Sequence, residues 1–168
     1  IPALIRRRSL FPCFFGSGLK TEGVEELLDA IDRYCLPVED SGEFSARVFK
    51  IARDAQGSRM TWLKIGGGEL KVRTPLRYTA QSGEELEEKI NQIRLYSGSK
   101  YETADAVQAG QVCAVLGLSA TWPGQGLGAA DRAAEPVLEP VLSYRMILPA
   151  GTDPAALLPK LMQLQEED

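Results

Sequence analysis

The stretch FSARVFKIARDAQGSRMTWLKI, residues 44–65, determines the fold that we predict. Two segments rich in β-branched and aromatic residues, 44–53 and 59–65, flank the sequence Asp-Ala-Gln-Gly at positions 54–57. A short connection that ends in glycine between two such segments is typical of a β-hairpin. We therefore place the start of an antiparallel β domain here.

Further strand candidates follow this hairpin at short intervals. They cover residues 69–72, 76–79, 88–95 and 112–118, with turn residues between them. Residues 84–88 could instead form a brief helical turn. Short strands separated by turn residues about every ten positions predict an antiparallel barrel or sandwich. Closure into a barrel of six strands would remove the exposed edges of an open sheet.

The region before the hairpin has a different pattern. LFPCFFG, residues 10–16, is a short apolar run that predicts a strand buried on both faces of a parallel sheet. A helix capped by Thr21 should follow, with an apolar stripe that recurs at helical spacing. This stripe consists of Val24, Leu27, Leu28 and Ile31. Because a strand and a helix have no core of their own, we expect the last β-α piece of a larger α/β domain, with the stripe packed against the barrel or a neighbouring chain.

The region after the strands also changes in composition. Residues 123–136 are rich in glycine, alanine and proline and predict an exit loop and linker. Residues 141–148 predict a strand, and Asp153 with Pro154 predicts the start of a helix. Pro159 should kink that helix or delay its start. We therefore expect three parts, residues 1–37, 38–130 and 131–168.

Composition favours a globular domain and excludes some functions. The chain has 168 residues, 44% hydrophobic and 25% charged, and a net charge of -4, which disfavours strong sequence-independent attraction to nucleic acid by the chain as a whole. No apolar run of membrane-spanning length and no signal peptide is present, so we expect no membrane partner and a cytoplasmic location. The three cysteines are widely spaced in apolar surroundings and predict buried free thiols rather than disulfides or a metal site. They are Cys13, Cys35 and Cys113.

The stretch FFGSGLKTEGVEELLDAI, residues 14–31, is similar to the fifth guanine-nucleotide motif of translational GTPases. In that family the motif is usually Ser-Ala-Lys or Ser-Ala-Leu, followed by the helix that closes the G domain. The matching residues here are Ser17, Gly18 and Leu19. The resemblance implies that backbone N–H groups of this loop face the guanine O6 atom, and Gly18 in place of alanine should keep that contact but loosen the loop. Taken alone, the unit could also be an ordinary α/β turn.

Later stretches resemble the same family in the same order. Residues 44–51 and 59–78 resemble the first hairpins of domain II of elongation factor G, residues 89–118 resemble its closing half, and the segment from 139 resembles the entry into domain III. The implied fold is mainly β: an antiparallel six-stranded translation-factor β-barrel flanked by an N-terminal β-α piece of the G domain and a C-terminal β-α piece. Because the chain begins with Ile1 and ends in acidic residues, we expect a fragment of a longer protein.

The resemblance also implies a function for the parent protein. It would be a GTPase that uses GTP with magnesium and docks on the small ribosomal subunit RNA, whereas the fragment itself has no catalytic residues, metal site or cofactor. The family usually carries Lys-x-Gly-Asp after the first hairpin, whereas this chain has Lys-Val-Arg-Thr-Pro at 71–75. That departure looks more like the tetracycline-resistance ribosomal protection proteins. The alternative is a non-catalytic RNA- or protein-docking barrel of a non-ribosomal GTPase, and a hydrolase is disfavoured because the chain has no histidine.

Several residue groups have both a functional and a structural interpretation. The basic residues could contact RNA phosphates or form a solvated strand face. Trp62 and Trp122 could stack on bases, but packing is favoured. The acidic pairs of residues 84–88 and the pair Glu166-Glu167 predict solvated faces, and the three glycines at 66–68 predict a bulge or turn. The basic residues are Arg47, Lys50, Arg53, Arg59, Lys64 and Lys71.

Overall fold

The computed structural model describes residues 1–35, 40–130, 141–149 and 151–167. The chain divides into two compact units, Ile1–Val38 and Glu39–Asp168. The predicted domain boundaries lie beside residues outside the described ranges and stay predictions. Among the described residues, no helix is long and apolar enough to cross a membrane.

The first unit contains two helices, α1 (Pro2–Arg6) and α2 (Val24–Tyr34). The predicted strand at residues 10–16 is wrong, because these residues form no strand and Phe11 is 74% exposed. A strand needs a neighbouring strand for its backbone hydrogen bonds, and no described residue pairs with this stretch.

The apolar stripe of α2 is confirmed as a helical face, but Thr21 does not cap the helix. The N-cap is Gly23, with φ of 73°, and the Thr21 hydroxyl donates to the Lys20 carbonyl instead. Leu27, Leu28 and Ile31 are exposed within this unit, while Ala30 is buried. The packing of the stripe against the barrel or another chain stays a prediction.

The second unit is mainly β, as predicted, and contains ten strands among its described residues. The strands are β1 (Ser45–Arg53), β2 (Arg59–Gly67), β3 (Glu69–Lys71), β4 (Pro75–Thr79), β5 (Glu85–Lys89), β6 (Gln92–Ser97), β7 (Lys100–Ala104), β8 (Ala106–Gln108), β9 (Val112–Leu116) and β10 (Gly126–Gly128). The helix α3 (Pro154–Glu167) follows.

The main sheet has six antiparallel strands in the order β10-β1-β2-β9-β6-β7. Two ribbons, β3-β8 and β4-β5, lie outside this sheet. The predicted six-stranded antiparallel architecture is therefore confirmed, but the predicted closure is not observed, since β10 and β7 remain edges among the described residues. The hairpin of β1 and β2 is as predicted.

One hydrophobic core is shared by the sheet and both ribbons. The sheet contributes Leu63 and Ile93, the β3-β8 ribbon contributes Leu70, and the β4-β5 ribbon contributes Leu76; all four are buried. Fully burying an aliphatic side chain of this size stabilises the fold by about 1.5–3 kcal/mol. The ribbons therefore cover the side of the core that the open sheet leaves free.

Other expectations are wrong in detail. Residues 84–88 are not helical, because β5 pairs with β4 along its whole length. Residues 88–95 are split between β5 and β6, and the exit loop contains β10, which pairs with β1. Residues 141–148 form no strand, and α3 begins at Pro154 and runs through Pro159 without a delayed start. The helical N-cap is confirmed, since the Asp153 carboxylate accepts from the Ala155 N–H at 2.9 Å.

The cysteine prediction is correct at one position. Cys113 lies in the core, whereas Cys13 and Cys35 are exposed, and all three are free thiols. The two exposed cysteines belong to the first unit, whose described residues form no sheet into which the apolar run could pack.

Candidate functional site

The predicted guanine loop is a tight turn between residues 10–16 and helix α2. Ser17 and Glu22 form an isolated antiparallel bridge, in which the Ser17 N–H donates to the Glu22 carbonyl at 2.9 Å and the Glu22 N–H donates back at 3.1 Å. The Lys20 N–H also donates to the Ser17 carbonyl at 3.2 Å. Ser17 therefore holds the base of the loop through its backbone.

Two glycines allow the loop to close below this bridge. A Cβ atom on Gly16 would lie 2.5 Å from the Glu22 carbonyl oxygen, and one on Gly23 would lie 2.5 Å from the Phe15 carbonyl oxygen. Real Cβ atoms do not approach backbone oxygen this closely, so the two chain segments can cross only where side chains are absent. We call Gly16 and Gly23 the glycine neck.

The tip of the loop consists of the other two predicted residues, Gly18 and Leu19. Leu19 is 97% exposed, and a Cβ atom added to Gly18 would meet nothing within 4 Å. Neither N–H group donates a hydrogen bond to any part of the chain that the structure describes. The tip thus offers two backbone donors in open space, which suits recognition of a carbonyl acceptor such as guanine O6.

The charge around the loop fits a neutral base better than a phosphate. Helix N-termini attract anions, but the first turn of α2 carries Glu25 and Glu26. These carboxylates repel a phosphate at that position. The arrangement can therefore contribute to base recognition, and phosphate and magnesium contacts would have to come from elsewhere.

The predicted basic residues of the barrel are largely engaged within the chain. Arg59 shows this most clearly, because its guanidinium donates to the Leu118 carbonyl at 2.8 Å and to the Glu166 carboxylate at 2.7 Å. Arg53 shares Glu166, so both arginines fix α3 to the sheet, and the solvated face predicted for Glu166 is wrong. The remaining engaged residues are Arg47, with the Gly124 carbonyl, Lys64, with the Gly110 carbonyl, and Lys71, with Glu69.

Lys50 differs from these five residues. It is exposed, it pairs with Trp62 in the β1-β2 register, and it contacts no acceptor among the described residues. Of the predicted basic residues, Lys50 is therefore best placed to meet an external anion.

The predicted solvated face of the acidic residues is wrong for Glu88. Its carboxylate accepts from the Tyr78 hydroxyl and from the backbone and side chain of Ser119, at 2.7 and 2.6 Å. Burial would raise the pKa of Glu88, but the hydrogen bonds from Ser119 and Tyr78 outweigh it and hold that pKa below its ordinary value. Glu88 therefore anchors the loop after β9 to the β4-β5 ribbon and is not an acid catalyst.

The two tryptophans are both packed, as predicted. Trp62 lies among other aromatic rings on the outer face of the sheet, and Trp122 lines a cavity of about 650 Å³ beside α3. Each indole N–H is buried without an acceptor among the described residues. Within those residues, no group of three or more Cys, Asp or Glu side chains could hold a metal ion.

Sequence reasoning missed the aromatic neighbours of Trp62. Phe49 of β1 and Tyr96 of β6 lie beside Trp62, and Tyr101 of β7 lies beside Tyr96. The signal was the alternation of aromatic residues with core residues in β1 and β6, but β7 was not predicted as a strand.

Comparison with known proteins supports the resemblance found in the sequence. No family model matches the chain. An elongation factor G of Ureaplasma urealyticum serovar 10 is 27% identical over 185 aligned positions, which cover 95% of this chain and 26% of the relative. An elongation factor G of Ureaplasma parvum serovar 3 is 28% identical with the same coverage. The predicted resemblance to the translational GTPases is thereby confirmed, and the chain spans about a quarter of the length of these relatives.

Proposed function

We propose that this chain is a segment of a ribosome-binding translational GTPase of the elongation factor G type. The observation that carries this proposal is the match to elongation factor G over 95% of the chain, across the first unit and the mainly β second unit, here called the β unit. A chance similarity of one common fold would not extend through two different kinds of structure in the same order.

In this proposal the guanine loop completes a nucleotide site whose other parts lie elsewhere in the full-length protein. The Gly18 and Leu19 N–H groups would discriminate guanine from adenine, since adenine carries an amino group where guanine carries O6. The phosphate-binding loop and the magnesium ligands that GTP hydrolysis needs are not among the motifs of this chain. We therefore expect GTP hydrolysis from the full-length protein and not from the 168 residues alone.

The β unit would dock the protein on the small ribosomal subunit in the cytoplasm. Its strands β1, β2, β9 and β6 contain no acidic residue, although the chain as a whole has a net charge of -4. On these strands Lys50 is exposed and contacts no acceptor among the described residues, so it can bind an RNA phosphate although the chain as a whole is acidic.

Tetracycline protection is the second candidate within the same family. The turn between β3 and β4 supports it, because Arg73 stands where the elongation factors usually have glycine. Arg73 nevertheless adopts φ of 68°, the left-handed conformation that glycine favours. Restoration of translation in a tetracycline-inhibited extract by the full-length protein would favour protection, and no restoration would favour elongation.

Sedimentation with ribosomal particles tests the docking proposal. The full-length protein, loaded with a non-hydrolysable GTP analogue, is centrifuged with small subunits, large subunits or intact ribosomes. Co-sedimentation with intact ribosomes and small subunits is expected. Failure to sediment with any ribosomal particle would support a docking module of a non-ribosomal GTPase instead.

A further inference from the structure

The outer face of the main sheet carries a continuous row of aromatic rings. Ring centroids are 6.3 Å apart for Phe49 and Trp62, 4.8 Å for Trp62 and Tyr96, and 5.2 Å for Tyr96 and Tyr101. The row crosses the sheet from β1 to β7. We call these four residues, together with Lys50, the aromatic face.

The strand register explains why these rings lie outside the core. Val48 and Leu63 pair with each other and are buried in the core, so their strand neighbours face outward. A register shift between Val48 and Lys50 marks a β-bulge that leaves Phe49 without a partner in the ladder. The solvent face of an antiparallel sheet is ordinarily polar, so a row of aromatic rings there indicates a binding surface.

The two ends of the row are the most open to solvent. Phe49 is 48% exposed and Tyr101 is 45% exposed, whereas Trp62 and Tyr96 are half-buried between them. The exposed rings can accept a further planar group. The Trp62 indole N–H is buried and has no acceptor in the described part of the chain, so binding at the row would rest on its two exposed ends.

The charge of this face is exclusively basic within its central strands. Arg94 lies over the Tyr101 ring at 4.5 Å, and its charge is balanced by Asp54 at 3.0 Å. Lys50 adds a positive charge without a partner among the described residues. A negatively charged partner is therefore attracted to the aromatic face.

We propose that the aromatic face binds unpaired nucleotides of a single RNA strand. Bases of a single strand can stack on the Phe49 and Tyr101 rings, and Lys50, beside Phe49 on β1, can neutralise a phosphate of the same strand. A duplex hides its base faces, and an acidic peptide would leave the exposed rings at the two ends without a stacking partner. Neither therefore matches a face that combines exposed rings with a positive charge. The inference rests on the proposed ribosome docking and gives it a chemical class: unpaired nucleotides rather than an RNA helix.

Fluorescence anisotropy with short RNAs tests this inference on the chain itself. A labelled 12-nucleotide oligouridylate, a labelled duplex of equal length and a labelled acidic peptide are titrated with the protein at low salt. We expect the single strand to bind more tightly and to quench tryptophan fluorescence. Phe49→Ala and Tyr101→Ala should each weaken binding about 5- to 150-fold, the effect of losing one stacked base. Lys50→Ala should reduce the slope of log affinity against log salt by about 1.

A matched control tests whether binding depends on the aromatic face or on any exposed aromatic ring. Phe11 is also exposed but lies in the other unit, so Phe11→Ala should leave binding unchanged. Equal affinity for the duplex, equal affinity for an acidic peptide, or unchanged binding by Phe49→Ala would each overturn the inference. If the full-length protein sediments with ribosomes while the chain binds no single strand, the inference fails and the proposed function stands.

Discussion

The glycine neck gives a sharp test of the guanine loop through the substitution Gly23→Ala. Gly23 has φ of 73°, where a residue with a side chain costs about 1–2 kcal/mol. The new Cβ atom would also lie 2.5 Å from the Phe15 carbonyl oxygen, so the backbone must shift. The loop that carries Gly18 and Leu19 would move away from the base.

The expected loss follows from the two hydrogen-bond donors at the loop tip. Each N–H group that no longer reaches the base forfeits about 0.5–1.5 kcal/mol. Losing both corresponds to about 1–3 kcal/mol, or roughly a 5- to 150-fold higher Kd for GDP. The assay is titration of the full-length protein with fluorescent GDP. The preference for GDP over ADP should also fall, because the proposed contact of the loop tip with guanine O6 discriminates the base.

Gly18→Ala is the matched control for this substitution. Gly18 has open space around its Cβ position and no positive φ, so alanine fits without strain. Alanine also stiffens the unfolded loop, so GDP affinity should stay equal or improve slightly. An unchanged Kd for Gly23→Ala, or equal losses for both variants, would refute the assignment of this loop to the guanine site.

Three further predictions concern the β unit and the thiols. Arg73→Gly should raise the free energy of unfolding by about 0.5–1 kcal/mol in urea denaturation, because glycine relieves the left-handed backbone, and a lower midpoint would contradict this. Glu88→Gln should lower the free energy of unfolding by about 1–3 kcal/mol and reduce the loss of stability on acidification. Because the pKa of Glu88 is lowered in the folded state, its contribution is present above the unfolded pKa near 4.5 and disappears as pH falls through the folded value. An identical pH profile of the variant would argue against this. Burial raises the pKa of Cys113 to about 12. A thiol reagent should therefore modify Cys13 and Cys35 in the native protein, and Cys113 only in denaturant. Fast reaction of all three thiols in the native protein would show that the core is open.

The β unit could be predicted from the sequence where alternation and turn chemistry agree. The hairpin of β1 and β2 combines clear β-rich segments with a turn in which the Asp54 carboxylate accepts from the Gln56 and Ser58 N–H groups. The short strands β8 and β10 have three residues each and give no periodic signal. They are strands because the neighbouring strand supplies their hydrogen bonds.

The first unit shows why an apolar run alone does not define a strand. Residues 10–16 have the composition of a buried strand, but strand formation depends on a partner strand that the described residues do not provide. The helix α2 was predictable because its hydrogen bonds are internal. The N-cap of α2 was not predictable from the sequence, because both Thr21 and Gly23 are suitable cap residues. The close approach of residues 15 and 16 to residues 22 and 23 favours the glycine.

The candidate site was only partly visible in the sequence. The loop tip could be located from its resemblance to a motif, but the glycine neck depends on a backbone contact between residues 16 and 22 that no spacing rule contains. The engagement of Arg53 and Arg59 by Glu166 joins residues more than 100 positions apart, so sequence reasoning could not tell these arginines from Lys50.

GTP turnover by the full-length protein, measured with and without purified ribosomes, tests the central proposal most directly. A translational GTPase should hydrolyse GTP slowly alone and much faster when ribosomes are added. Turnover that is absent, or that does not respond to ribosomes, would contradict the account and favour a docking module of a non-ribosomal GTPase.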